Sequence, residues 1–224
     1  MTRHFEQLLG ELRSNVVRMG SLVDEQVELG VRAIITNDLA LADNVIARDK
    51  EVDDFDNRID RLCVSILATT QPVAIDLRLL MASIKINSEL ERIGDIAANL
   101  AERVKPLGAF QDFVQKAGIV EMALAARAMV KDAIDAFVNS DPALARHVLE
   151  SDDRIDSLDA TIFNNMIAEM RKDSRFIDPG AHIMMVSRHV ERLADHATNI
   201  AEDVIFLVMA RVIKHQAGND RPLA

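Results

Sequence analysis

The sequence predicts an all-α protein of two tandem three-helix bundles, six long helices in all, related by an internal pseudo-two-fold. Three observations carry that expectation. The composition is 49% hydrophobic but only 4% aromatic, without Trp or Tyr and with Gly 8 and Pro 5 in 224 residues. A β-sandwich or barrel needs many more turn residues and strands rich in aromatic and β-branched side chains. The chain also repeats itself, and helix-capping residues recur at matching places in the two copies.

The repeat is legible directly, and its later motif aligns without gaps. Glu91 to Val104 aligns on Glu191 to Val204 with eight of fourteen positions identical. Upstream, Asn37-Asp38-Leu39-Ala40-Leu41-Ala42 matches Ser140-Asp141-Pro142-Ala143-Leu144-Ala145, and Asp49, Asp53 and Asp56 match Asp152, Asp156 and Asp159. The offset is 100 at the later motif and 103 at the earlier ones, so the second copy is three residues shorter between its second and third helices.

The first helix is expected at roughly 5–37, and Asp38 is the N-cap of a second at roughly 39–69. Pro72 opens a third at roughly 73–105, followed by a short hinge at Pro106-Leu107-Gly108. The fourth spans roughly 113–139. Asp141 caps a fifth at roughly 142–174, with Pro142 at the first helical position, and Asp178-Pro179 repeats that signal for a sixth at roughly 179–214. Such long helices with short connections run antiparallel. Residues 1–107 thus form the first repeat, 108–215 the second, and 216–224 a frayed tail.

Charge and cysteine use narrow the function. Asp and Glu number 36 against 26 Lys and Arg, a net charge of −10, which excludes the basic footprint of a nucleic-acid binder. A lone cysteine, Cys63, forms no internal disulfide or thiolate metal cage and is read as a small buried hydrophobe. The first residues lack the apolar core of a signal peptide, and the longest apolar run, Val204 to Ala210, is far short of a membrane span. No nucleophile constellation, glycine-rich dinucleotide loop or P-loop spacing is present.

The acids are ordered. On a helix, Glu91, Asp95, Asn99 and Glu102 fall within about 80° of one another and form a narrow polar stripe, which Glu191, Asp195, Asn199 and Glu202 repeat. Asp49, Asp53, Asp56 and Asp60 share about 60° beside the apolar Val52, Phe55, Ile59 and Leu62 stripe. Asp152, Asp156 and Asp159 repeat three of the four, with Phe163 in the fourth place. Like charges at i,i+4 repel, so a row of them destabilises a helix unless something offsets it. One answer is hard cations, which favour carboxylate oxygens; the other is a solvated face partly neutralised by Arg92, Arg192, Lys50 or Arg58. Recurrence of the same acids in both copies weighs against a merely solvated face and leaves both answers open. His182, His189 and His196 lie on one side of the last helix but about 10 Å apart along it, so they cannot share one ion and read as packing or interhelical hydrogen-bond residues.

These motifs, with Pro72-Val73-Ala74-Ile75-Asp76-Leu77-Arg78, resemble the PhoU family of phosphate-specific transport accessory proteins over nearly the whole chain. The resemblance implies a cytoplasmic negative regulator of phosphate uptake and of the phosphate-starvation response. Its partners would be the phosphate ABC transporter, particularly its ATPase, a sensor histidine kinase and a second copy in a homodimer, with the membrane reached only through them. It also implies divalent or ferric metal ions (iron, zinc, magnesium or manganese) at Asp49, Asp53, Glu91 and Asp95 in the first copy and Asp152, Asp156, Glu191 and Asp195 in the second. Ala194 stands opposite Gly94 and Phe163 opposite Asp60, so the two sites need not be equally occupied, and the Asp178-Pro179 segment lacks a counterpart of Arg78. Exposed acidic stripes should repel inorganic phosphate, so metal-free protein is not expected to bind it directly. Two other readings are a carboxylate-bridged di-metal oxidase and a metal-free helical scaffold. The oxidase is disfavoured because no His follows three residues after Glu91 or Glu191, and because the acids lie beside rather than inside the core.

Overall fold

The computed structural model describes residues 2–213. Among them are six long helices, one short one and no strand. They are α1 (Thr2–Thr36), α2 (Leu39–Thr69), α3 (Ala74–Leu107), α4 (Gln111–Lys116), α5 (Ile119–Asn139), α6 (Pro142–Lys172) and α7 (Ile177–Met209). Single 3-10 turns at Gly108–Phe110 and Ser174–Phe176 precede α4 and α7. The expected tail at 216–224 lies outside the described residues.

The same polar code joins the first two long helices of each repeat. Asn37 and Ser140 end α1 and α5 at φ 54 and 52, a left-handed conformation that short polar residues tolerate. The next N–H groups, of Asp38 and Asp141, reach back to the carbonyls of Ala33 (3.1 Å) and Ala136 (2.9 Å), closing the helix in the Schellman manner. Each Asp then turns its carboxylate forward. Asp38 accepts from the N–H of Ala40 and Leu41 at 2.9 and 3.1 Å, and Asp141 from those of Ala143 and Leu144 at 2.8 and 3.1 Å. Both expected N-caps are thereby realised.

Four boundaries differ from the sequence expectation. The fourth helix is not continuous over 113–139, because Gly118 adopts φ +87 and splits α4 from α5; only glycine takes that conformation without strain. Asp178 is not a cap: α7 already begins at Ile177, and it is Asp173 that caps the preceding turn, accepting from Arg175 N at 2.9 Å. Asp178 instead occupies the first turn, where a carboxylate meets the positive end of the helix dipole. The last helix stops at Met209 rather than 214, with Ala210 left-handed at φ 54. Finally, Pro106 lies inside the last turn of α3, which runs on to Leu107. The helix runs through Pro106, so no separate hinge forms there.

Helices α1, α3, α5 and α7 pack in a ring, with α2 flanking α1 and α3, and α6 flanking α5 and α7. The two repeats share one continuous core. Both seams between them are antiparallel. Across α1 and α5, Arg127 pairs with Glu28 at 2.7 Å and Arg13 donates to Val138 O at 3.0 Å. Across α3 and α7, Lys85 Nζ meets Asp203 Oδ1 at 2.9 Å, and Arg78 Nε donates to Leu207 O at 3.2 Å. Cys63 is 2% exposed, and burial pushes its thiol up to about 11, as a buried hydrophobe requires.

The two interiors are unequal. Gln26 of α1 is 0% exposed and neither of its amide atoms has a partner among the described residues, whereas the equivalent position in α5 is Met129, buried within the core. Leaving buried polar atoms unpaired costs about 1–3 kcal/mol, and Met has nearly the shape of Gln. Gln26→Met is therefore expected to raise stability by ~1–3 kcal/mol in urea or thermal unfolding. A lower midpoint would show that Gln26 is satisfied.

Candidate functional site

The acids expected to act together do face one another, in a groove between α2 and α3 and in its counterpart between α6 and α7. Val52, Ile59 and Cys63 are buried and dock α2 onto the core. The neighbouring arc of that helix therefore carries Asp49, Asp53, Asp56 and Asp60 along the rim. From α3 come Glu91 and Asp95, one turn apart. Asp53, Asp60 and Asp95 are exposed, while Asp49, Asp56 and Glu91 are half-buried.

Crowding is visible in the protonation equilibria. Burial, then the Asp95 and Asp53 charges, raise the pKa of Asp49. Burial followed by Asp95, Asp56 and Asp53 raises Glu91, with Arg92 opposing. Asp95 is raised by burial and Asp53, while Arg192 of the other repeat pulls it down. In the second groove burial and then Asp156, Asp195 and Asp153 push Asp152 up to about 6. Glu191 is likewise raised by burial and Asp195, with Arg188 opposing and Asp159 and Asp156 adding to the rise. The carboxylates that raise these groups sit on the facing helix of the same repeat or within one turn on the same helix, so all eight residues singled out from the sequence belong to these two grooves.

Two further acids belong with them. Asp56 and Asp159 act on Glu91 and Glu191 from across each groove. Their phase with Asp49 and Asp152 was readable in the sequence, but whether they turned inward was not. Each is held by a buried donor from the third helix of its repeat. Asn87 Nδ2 donates to Asp56 Oδ1 at 2.7 Å, and Ser187 Oγ to Asp159 Oδ1 at 2.6 Å. The later part of the α7 stripe has another task. Asn199 donates to Glu89 Oε2 at 3.1 Å, and His196 Nδ1 lies 2.6 Å from the same oxygen. His196 is therefore an interhelical hydrogen-bond residue, as its spacing suggested.

The donor chemistry fits hard cations. The facing groups are carboxylates, burial and then neighbouring like charges raise the pKa of Asp49, Asp56, Glu91, Asp95, Asp152 and Glu191, and Glu191 Oε2 is buried without a partner among the described residues. Yet in these rotamers no three His, Cys, Asp or Glu side chains among the described residues are gathered closely enough to hold an ion. Holding an ion would therefore require the acids not fixed by Asn87, Ser187 or Arg188 to turn toward one another. Asp49, Asp56 and Glu91 each keep part of their surface open to solvent. A concavity of about 830 Å³ lined by His4, Phe5 and residues 67–71 contains no carboxylate. No helix among the described residues is long and apolar enough to cross a membrane.

Comparison with known proteins agrees with this duplicated plan. The PhoU domain family model matches twice, at residues 16–104 and 119–204. A phosphate-specific transport system accessory protein PhoU homolog of Rhizobium meliloti (strain 1021) is 34% identical over 204 residues, covering 91% of this chain and 86% of that protein. The homolog of Pseudomonas putida is 37% identical over 218 residues, covering 96% and 84%. The crystal structure of PhoU from Pseudomonas aeruginosa superposes with TM-score 0.86 at 36% identity, over 92% of this chain and 99% of that one. The phosphate transport system regulatory protein PhoU from Streptococcus pneumoniae gives 0.84 at 25% identity, over 94% and 99%. With the family model matched in each repeat and relatives above 30% identity along almost its full length, this chain belongs to the PhoU family.

Proposed function

We propose that this chain is a cytoplasmic accessory protein of phosphate-specific transport that restrains phosphate uptake and the phosphate-starvation response. It acts by bridging the transporter ATPase and a sensor histidine kinase, as a homodimer. It is a regulatory protein and not an enzyme, in keeping with the accessory role named in its relatives. The observation that carries the reading is the match of both repeats to one family, with its relatives named for phosphate-specific transport.

The grooves supply the second part of the proposal. Asp49, Asp53, Asp56, Glu91 and Asp95 would hold hard cations in the first, and Asp152, Asp156, Asp159, Glu191 and Asp195 in the second. Iron, zinc, magnesium and manganese all accept oxygen ligands. A bound cation would neutralise the repulsion between α2 and α3, or α6 and α7, and fix the face each groove offers to a partner. Inorganic phosphate is excluded from the metal-free grooves by the same repulsion.

The test is genetic and physical together. Deleting the gene should leave a phosphate-starvation reporter active in high phosphate, and the chain should co-purify with the transporter ATPase from detergent-solubilised membranes. A reporter that stays repressed in the deletion strain would reject the regulatory role. Absence of the ATPase from the purified material would reject the bridge.

A further inference from the structure

The seam between α3 and α7 is built differently at its two ends, although the internal two-fold makes these helices equivalent residue by residue at an offset of 100. At the end nearer the start of α3, two acids are matched by donors. Glu89 Oε2 lies 2.6 Å from His196 Nδ1 and accepts from Asn199 at 3.1 Å, and Asp203 Oδ1 lies 2.9 Å from Lys85 Nζ. Asp203 is 3% exposed, so the Lys85 charge is needed to offset its burial.

At the other end the charges are reversed. His189 stands where the first end has Glu89, and Arg103 where it has Asp203; Ile96 replaces His196, Met185 replaces Lys85, and only the asparagine, Asn99, is kept. Two acids faced by two basic groups have become two basic groups faced by apolar side chains. The donors record the loss. His189 Nδ1 and Arg103 Nε are both buried without a partner among the described residues, and Arg103 meets Glu102 at only 3.9 Å. The charges acting on His189 are those of Arg103 and Arg192, opposed by Glu102. Buried donors without an acceptor destabilise a fold, as does cationic charge without a counter-charge. The Arg103 side chain is 26% exposed and His189 is half-buried, so a small ion can reach both from solvent.

We propose that this end of the seam, framed by Arg103, His189, Arg192 and Asn99, binds a small dianionic oxyanion, which supplies from solution the negative charge that Glu89 and Asp203 supply at the other end. A guanidinium presents its N–H groups as a planar fork that matches carboxylate and phosphate oxygens, and the imidazole and amide each add a donor. The expectation that metal-free protein leaves phosphate unbound followed from the acidic stripes, whereas here two arginines outnumber the one acid beside them. That acid, Glu102, is exposed and free to turn away, and the rest of the net charge of −10 is screened beyond about 8 Å at physiological ionic strength.

Calorimetric titration of the full chain in EDTA with inorganic phosphate, sulfate and succinate tests the site. At least one of the three is expected to bind and to raise the melting temperature. Phosphate and sulfate without succinate would mark a tetrahedral ligand, and succinate alone a dicarboxylate. R103A and H189A should each weaken binding by about tenfold. M185K/R103D rebuilds the ion pair that Lys85 and Asp203 make at the other end and should abolish binding. That arm stays decisive if R103A fails to fold, which circular dichroism would reveal. R171Q removes an exposed cation near the end of α6 and should bind as the unmutated chain does. No uptake of any of the three ions, or undiminished binding by M185K/R103D, would overturn the proposal. Equal weakening by R171Q and R103A would mark an adventitious ion only and overturn it as well.

Discussion

Asp152→Asn should raise the melting temperature of the metal-free chain above about pH 6 and leave it nearly unchanged below pH 4. Burial and then the charges of Asp156, Asp195 and Asp153 raise the pKa of Asp152 from 3.8 to about 6. A carboxyl with a raised folded-state pKa stabilises the fold while protonated. That contribution is complete below the unfolded value of 3.8 and is lost as pH rises to about 6. At neutral pH the ionised group therefore opposes folding, and an isosteric neutral side chain removes the opposition. A shift of this size would correspond to about 3 kcal/mol in a dry site, but Asp152 is partly solvated and screening brings the expected gain to ~1 kcal/mol. Asp49, Asp56, Glu91, Asp95 and Glu191 are raised as well, so unmutated protein in EDTA should lose further stability as these groups ionise above the ordinary carboxylate range. Saturating Mn2+ should reverse that slope, because the ion binds only ionised carboxylates. A melting temperature in EDTA that climbs from pH 4 to pH 7, unaltered by Asp152→Asn, would contradict the crowding.

Glu89→Ala should cost about 2–4 kcal/mol, and its pH dependence runs the other way. Burial alone would raise the pKa of Glu89, but hydrogen bonds from His196 and Asn199, reinforced by the charges of His196 and Arg92, bring it below 4.5. Ionised Glu89 can only accept, so His196 Nδ1 donates to it. Its contribution is present above 4.5 and is lost as pH falls through the depressed folded value. Removing the carboxylate leaves His196, which is 8% exposed, and the Asn199 amide without their acceptor on the seam between α3 and α7. Glu89→Gln retains an acceptor oxygen and should recover about half of the loss. Urea unfolding of both variants at neutral pH measures this; equal stability of Glu89→Ala and unmutated protein would show that the seam does not depend on the pair.

The two substitutions mark where sequence reasoning succeeds and where it stops. Asp152 was legible because its neighbours are local: a spacing of three and four places the acids on one helical face, and recurrence with Asp49 shows that the placement is kept in both copies. The caps Asp38 and Asp141 were legible for the same reason, as each bonds N–H groups two and three residues on. Glu89 carried no such signal. Its partners His196 and Asn199 are 107 and 110 residues away, and only the antiparallel register of α3 on α7 brings them together. Asn87 carried no signal either, since an amide on an apolar face announces nothing until the acid opposite is known. Gly118 did carry a local signal. Lying inside an otherwise periodic stretch, it was absorbed into a helix that its positive φ interrupts.

Metal content tests cation binding by the two grooves most directly. Full-length protein purified without chelator or affinity metal would be analysed for iron, zinc, magnesium and manganese, beside the E91Q/D95N/E191Q/D195N variant prepared identically. Metal should be retained by the unmutated chain and lost from the variant, with both folded by circular dichroism. Equal metal content in the two proteins would contradict it.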